Sequence, residues 1–245
     1  MYFDHYGDET KPAIVFLHGA FFVHPFGRQY PLAEKYFLTV PHLPGYGKEA
    51  DRTFRADEVL RELREFITAL DRKVILIGFS LGAQLAVQLT ADHPDLFNGA
   101  IFVSPWLIKD ETTLGKAFTA NRKQWKTLQH PFAARIIGLM NGLPKAQRKA
   151  FAEQMQHVSE ETLKHSVYTG ITLDSVNHFT SVTVPTIALA GAEEPPEMVE
   201  SVRQLQAMNA NCHAEIWKKA AHNIPPLFHQ GFNRLIDDFV EQHSG

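Results

Sequence analysis

The stretch "KVILIGFSLGAQ", Lys73 to Gln84, decides how the rest of the chain reads. Val74, Ile75, Leu76 and Ile77 form an unbroken apolar run of strand length, as in a strand buried on both faces. Gly82, Ala83, Leu85 and Ala86 then begin a helical pattern. Ser80 therefore falls at a strand-to-helix turn. Gly78 and Gly82 bracket it two residues to either side, giving G-x-S-x-G, in which small flanking residues permit a sharp turn that exposes the serine oxygen. The pattern alone arises by chance in roughly one chain in twelve of this length. Its place between a strand and a helix is what gives it weight.

The 245 residues suffice for one domain with an ample core, or one domain carrying a large insertion. With 44% hydrophobic and 21% charged residues and a formal net charge of −3, the composition implies no strong pull toward nucleic acid or anionic lipid. The single cysteine, Cys212, excludes an internal disulfide and offers no metal-ligand cluster; it reads as a small apolar filler and suits a reducing compartment. The start, "MYFDHYGDETKP", is polar and lacks a basic-then-apolar leader, and no apolar stretch approaches the ~20 residues that span a bilayer. The expectation is a cytoplasmic protein whose partner is a small molecule, with neither nucleic acid nor membrane as partner and an oligomeric state the sequence does not set.

Outward from the central turn, apolar runs alternate with helical patterns. "AIVFLHGA" (Ala13 to Ala20) and "YFLTVPHLPGYG" (Tyr36 to Gly47) read as strands that stop at glycines. "RADEVLRELREFITAL" places Val59, Leu60, Leu63, Phe66, Ile67 and Leu70 on one helical face with charges opposite. After the Ser80 strand and a helix through Ala91 come "GAIFVSP" (Gly99 to Pro105), "TIALAG" (Thr186 to Gly191) and "HAEIWK" (His213 to Lys218), each a strand. This alternation implies a mostly parallel α/β sheet with helices on both faces. Between Pro105 and about Val182 the strand pattern gives way to helix-prone sequence containing Phe118, Trp125, Phe132, Ile136, Ile137, Met140 and Leu143. The division expected is a core of residues 1–105 and 183–245, with residues 106–182 as a helical cap inserted in it; two further crossover helices with a hidden strand are the alternative.

Four motifs together resemble the α/β-hydrolase family, and the resemblance covers nearly the whole chain. "FLHGA" (Phe16 to Ala20) is similar to the family's His-Gly loop, and "HLPGYG" (His42 to Gly47) to its Asp-x-x-Gly-x-Gly loop, with His42 in place of Asp. "GFSLG" is the third. "AAHNIPPLFHQGFNRLIDDFV" resembles the terminal Gly-His followed by a helix, with Ala221 in place of the common Gly. The order nucleophile, acid, histidine also fits.

What the resemblance implies has a chemical rationale at each position. The Ser80 hydroxyl becomes a competent nucleophile only when a base takes its proton, and His222, directly after the last strand, stands where the family carries that base. The other histidines read as bystanders, with His18 bracing its loop. Negative charge on a tetrahedral intermediate calls for backbone donors already in place. The family's motif puts these at the N–H of Leu81 and at that of Ala20, with Phe21 as an alternative to Ala20. For the acid, Glu194 occupies the motif position in "GAEEPP" (Gly191 to Pro196), while Glu193 beside it and Asp110 after the "IFVSP" strand are alternatives. Phe21, Phe22 and Phe26 beside the His-Gly loop suggest an apolar substrate pocket, or equally the packing of the cap on the core.

The activity implied is that of a carboxylesterase-like serine hydrolase, cleaving a small, largely apolar ester or related acyl compound through an acyl-enzyme, without metal or organic cofactor. C–C bond hydrolysis, elimination or acyl transfer on the same residues is the alternative chemistry, and a non-catalytic ligand-binding protein the alternative class.

Overall fold

The computed structural model describes residues 1–243. Seven strands form one sheet: β1 (Tyr2–Tyr6), β2 (Ala13–Leu17), β3 (Phe37–His42), β4 (Val74–Phe79), β5 (Phe97–Val103), β6 (Thr186–Gly191) and β7 (Cys212–Trp217). Their spatial order is β1-β3-β2-β4-β5-β6-β7. All neighbours pair in parallel except β1 and β3, which run antiparallel. β4 lies at the centre, and every residue of β2, β3, β4 and β6 is buried. This is why these strands read as continuous apolar runs.

The six expected strands are present. β1 was not foreseen. Its sequence, YFDHY, has no fully buried position and no strict period of two in its exposure, and its polar members hid it. β1 nonetheless matters to the site's surroundings, because it brings Asp4 into register with Val40 of β3.

Helix α1 (Ala56–Ala69) buries Val59, Leu63 and Ile67, with Leu60, Phe66 and Leu70 half-buried beside them, as its periodicity requires. Helix α2 (Leu81–Asp92) is different: ten of its twelve residues are buried. It packs against β2, β4 and β5 in the middle of the molecule, so its apolar residues encircle it. Two glycines make that approach possible. A Cβ on Gly78 would collide with the carbonyl of Gly82, and a Cβ on Gly82 with the carbonyl of Leu17 at the end of β2.

Between β5 and β6 the chain contains no strand and four helices: α3 (Glu111–Leu128), α4 (Pro131–Met140), α5 (Lys145–Met155) and α6 (Glu160–Val167). They contact one another through the pairs α3–α4, α3–α5, α4–α5 and α3–α6. Helix α7 (Pro196–Met208) packs on β6 and β7. The short α8 (Ile224–Leu227) and the terminal α9 (His229–His243) follow the last strand. Phe232, Ile236, Phe239 and Val240 of α9 are buried, with Phe239 beside Gly99 of β5.

The Gly82 contact carries a prediction. Gly82→Ala overpacks a backbone-to-backbone contact that no side-chain rotamer can relieve, at a cost of about 1–3 kcal/mol or more. Urea unfolding of the variant should therefore show a lower midpoint at unchanged slope. A midpoint equal to that of the parent would mean that α2 does not sit against the end of β2 as described.

Candidate active site

Ser80 is the N-cap residue of α2 and adopts φ 55°, ψ −112°. That is a left-handed-side conformation which costs a non-glycine residue of order 1–3 kcal/mol. It is held on both sides: the Ser80 N–H donates to the Val103 carbonyl of β5 (2.8 Å), and its own carbonyl accepts from Ala83 (3.0 Å) and Gln84 (3.2 Å) at the helix start. The turn projects Oγ from the C-terminal end of the central strand.

His222 lies in the loop between β7 and α8. Its Nε2 is 2.9 Å from Ser80 Oγ and its Nδ1 is 2.8 Å from Glu194 Oε2. The carboxylate can only accept, so Nδ1 carries the proton and Nε2 is left to accept from the serine hydroxyl. The ring leans on Phe79, centroids 5.0 Å apart. The imidazole is 36% exposed, whereas the Glu194 side chain has no exposure at all.

Glu194 follows β6, where its Oε1 accepts from the Gly191 N–H and from Ser104 Oγ, both at 2.7 Å. Burial by itself would raise the Glu194 carboxyl. The bonds and charge from His222 and the bonds from Gly191 and Ser104 outweigh that and hold it below the ordinary value of 4.5. The carboxyl is thus an ion whose partners are all supplied by protein. Ser104 is a residue that the sequence analysis did not single out. It closes β5 at φ 56°, with its N–H donating to the Leu189 carbonyl of β6. Its place at the end of the strand next to β6 was the available signal.

The other two candidate acids stand elsewhere. The Glu193 side chain is exposed beside the buried Glu194. Asp110 is exposed and caps α3, accepting from the Thr113 N–H (2.7 Å) in a reciprocal capping box.

Leu81 begins α2, so its N–H is one of the helix's unpaired initial donors and points out at the Ser80 end. Ala20 and Phe21 line a cavity together with Ser80 and His222. The Phe21 backbone also hydrogen-bonds the hydroxyl of the buried Tyr46. His18 fixes the same loop: Nδ1 donates to the Gly19 carbonyl (2.7 Å), and Nε2 accepts from the Leu43 N–H (3.1 Å). Full burial drives its pKa down to about 3, against a smaller upward pull from the Gly19 bond, so the ring is a neutral brace.

The cavity has a volume of about 180 Å³. Phe21 and Phe22 line it. Phe26 does not: it is fully buried, stacked among Phe16 and Phe232 in the core. A group of carboxamides that the sequence did not reveal joins the apolar lining, namely Asn121 and Gln124 from α3, Asn141 after α4 and Asn223 beside His222. Asn223 Nδ2 donates to Asn141 Oδ1 (3.1 Å). Apart from His222, no ionisable side chain lines this cavity among the described residues.

A second cluster, Asp4, His24 and His42, places three potential metal ligands close together. The hydrogen bonds assign it another role. His42 Nδ1 accepts from the Lys48 N–H (3.0 Å), which leaves the ring proton on Nε2, directed at Asp4 Oδ2 (2.9 Å). The nitrogen that would face a metal is therefore a donor. His24 Nδ1 pairs with Tyr30 Oη (2.6 Å), and burial lowers its pKa to about 4. The cluster is a neutral-imidazole network tying β1 to the loop that follows His18.

A curated relative, the pimeloyl-[acyl-carrier protein] methyl ester esterase of Wigglesworthia glossinidia brevipalpis, is 25% identical over 87% of this chain and 86% of its own length. The biotin biosynthesis bifunctional protein BioHC of Teredinibacter turnerae is 23% identical over 82% of this chain, which spans only 39% of that longer protein. Among solved structures, MenH from S. aureus superposes with a TM-score of 0.78 at 18% identity, covering 100% of this chain and 99% of its own. The model of the alpha/beta hydrolase family matches residues 14–235, from the first buried strand to the last helix, and the chain belongs to that family.

Proposed function

We propose that the protein is a serine hydrolase that cleaves a small, largely apolar ester through an acyl-enzyme, with Ser80 as nucleophile, His222 as base and Glu194 as the acid that orients it. The observation that carries this reading is the unbroken hydrogen-bonded chain from Ser80 Oγ through both nitrogens of His222 to the buried Glu194 carboxylate. The esterase name of the 25%-identical relative supports the same reaction class.

In this reading His222 Nε2 takes the serine proton as Oγ attacks the ester carbonyl. The imidazolium that forms is stabilised by Glu194, already ionised and already desolvated. The carbonyl oxygen becomes an anion facing the N–H groups of Leu81 and Ala20, so the charge meets dipoles that need no rearrangement. Collapse of this intermediate returns the proton to the departing alcohol and leaves an acyl-Ser80 ester, which water cleaves by the same steps in reverse. Helices α3 to α6 act as the cap over the site: Asn121, Gln124, Leu128 and Phe151 from this segment complete the cavity wall. An apolar lining with uncharged amides favours an acyl group bearing no charge, and the cavity's small volume favours a short one.

A fluorophosphonate probe should label Ser80 covalently, and Ser80→Ala should abolish both labelling and turnover of chromogenic esters. A folded parent protein that takes up no probe would favour a ligand-binding role. Labelling without hydrolysis of any ester would point to elimination, C–C cleavage or acyl transfer.

Glu194→Gln should lower kcat by up to ~10⁴-fold, through the wrong imidazole tautomer and the lost charge. Glu193→Gln and Asp110→Asn should stay within a few-fold of the parent, by roughly the margin expected of exposed substitutions. If Asp110→Asn were the crippled enzyme, the assignment of the acid would fail.

The depressed pKa of Glu194 adds a stability prediction. A carboxyl lowered on folding contributes stability that is present above its unfolded pKa and is lost as pH falls through its folded value. The stability gap between the parent and Glu194→Gln should hold above the ordinary carboxyl value of 4.5 and shrink as the pH falls below it. Thermal melts across that range that showed a constant gap would mean the charge of Glu194 is not selectively favoured by the fold.

A further inference from the structure

Helix α4 is built inside out. The residues it buries are the small ones, Ala134 and Gly138, while Phe132, Ile136, Leu139 and Met140 stand 77%, 43%, 54% and 72% exposed. Their spacing of i, i+4, i+7 and i+8 makes a single apolar stripe along the outer face. Burying Gly138 lets α4 lie close to α5, near Phe151 and Leu143. Ile137 is half-buried against the core beside these small residues, whereas packing leaves Phe132, Ile136, Leu139 and Met140 with no internal task. The stripe continues onto Leu227, 47% exposed, whose side chain abuts Gly142 just past the end of α4. Contiguous exposed apolar groups of this kind mark interaction sites.

The charge around the stripe is one-sided. From residue 112 to residue 152 the sequence contains eight Lys or Arg and not one Asp or Glu, which leaves the remainder of the chain at −11. Arg135 flanks the stripe on α4 itself, and Lys145, Arg148 and Lys149 of α5 border the shallow groove beside Ile136 and Leu139. Lys149 pairs with Glu153 of its own helix, whereas no ion pair is found for Arg135 or Lys145 among the described residues. The chain-wide net charge of −3 averages this asymmetry away.

We propose that the α4 face is a docking surface for an anionic lipid bilayer, with Phe132, Ile136, Leu139 and Met140 entering the interface and the basic residues at their flanks meeting acidic headgroups. Charge complementarity selects this occupant. A second copy meeting this face through its own α4 would set the same basic segment against itself, and an uncharged surface would leave the basic rim unused. The stripe presents Phe132 and Met140 outward at 77% and 72% exposure, as an interfacial helix does. The surface adjoins the cavity, since Met140 precedes Asn141 and Leu227 follows Pro226, both of which line it. Docking would thus bring the cavity's rim to the bilayer, where amphiphilic esters collect. The inference stands on α4 and its charges and does not depend on the Ser80 chemistry.

The test is co-sedimentation of the full chain with vesicles of phosphatidylcholine alone and of phosphatidylcholine mixed with phosphatidylglycerol. Binding is expected to the mixed vesicles, weakened by salt, with little binding to the neutral ones. Phe132→Ser combined with Met140→Ser should reduce partitioning by about tenfold or more, and Arg135→Gln combined with Lys145→Gln by a few-fold, with melting temperatures unchanged. Both pairs are exposed, so folding should survive. The proposal is overturned if the parent ignores the mixed vesicles, if it binds neutral vesicles equally, or if the Phe132/Met140 pair binds as the parent does. It is also overturned if vesicles fail while an acidic carrier protein, or a second copy at raised concentration, binds in a way that those substitutions abolish.

Discussion

Everything at the site depends on how closely helix α2 can approach the ends of β2 and β4. Ser80 is held at φ 55° because the backbone has no other route from the buried central strand into a helix that lies directly over its neighbours. At Gly78 and Gly82, on either side of this turn, a Cβ would meet backbone instead of a movable side chain. The strain at Ser80 is balanced by the hydrogen bond its N–H makes to Val103 and by the apolar burial of most of α2. The same geometry that strains the serine leaves the first N–H groups of α2 unpaired beside its oxygen. Exposed nucleophile and available donors are thus two results of one turn.

The second constraint is the burial of a charge. An ionised carboxylate removed from water is tolerated only where its lone pairs are met. Glu194 meets this from three parts of the chain: Gly191 at the end of β6, Ser104 at the end of β5, and His222 from the loop after β7. This makes the carboxylate a fastener between adjacent strand ends as well as a partner for the imidazole. Because its Oε1 is occupied by Gly191 and Ser104, only Oε2 is left to His222, and the ring can present just one face and one tautomer to Ser80. The rigidity is set at the far end of the chain of hydrogen bonds and transmitted to the serine.

How much of this could be read from sequence follows from the kind of signal each feature leaves. The six buried strands and helix α1 were legible because burial on both faces, or on one, imposes a period on apolar residues. Ser80, His222 and Glu194 could be named because each stands at a strand end within a short local motif. Ser104 could not, since its importance arises only when β5 and β6 lie side by side and put residues 90 apart in sequence within 2.7 Å. The carboxamides of the cavity share that difficulty. Asn121, Asn141 and Asn223 come from three separate elements, and an asparagine on a helix surface looks the same whether it faces a cavity or water. The edge strand β1 was hidden by its polar residues and its lack of a regular period, and with it the partner that satisfies His42. Where the family carries an acid in that loop, this chain places an imidazole and supplies the carboxylate from Asp4 on the neighbouring strand.

The apolar residues between β5 and β6 show the opposite failure, in which the sequence offers a signal that points the wrong way. Phe132, Ile136 and Met140 fall at helical spacing and invite a core reading, because apolar periodicity marks a buried face in most helices. Periodicity reports that one side of a helix is apolar, and it does not say which side the fold will cover. In α4 the decision is made by Gly138 and Ala134, whose lack of bulk allows α5 to close on their side and leaves the large residues facing out. A helix that buries Ala134 and Gly138 with only part of Ile137 gives up most of the apolar burial its composition could supply. The same stretch excludes every acidic residue from 112 to 152, and the proposed docking on an anionic bilayer would recover that lost burial.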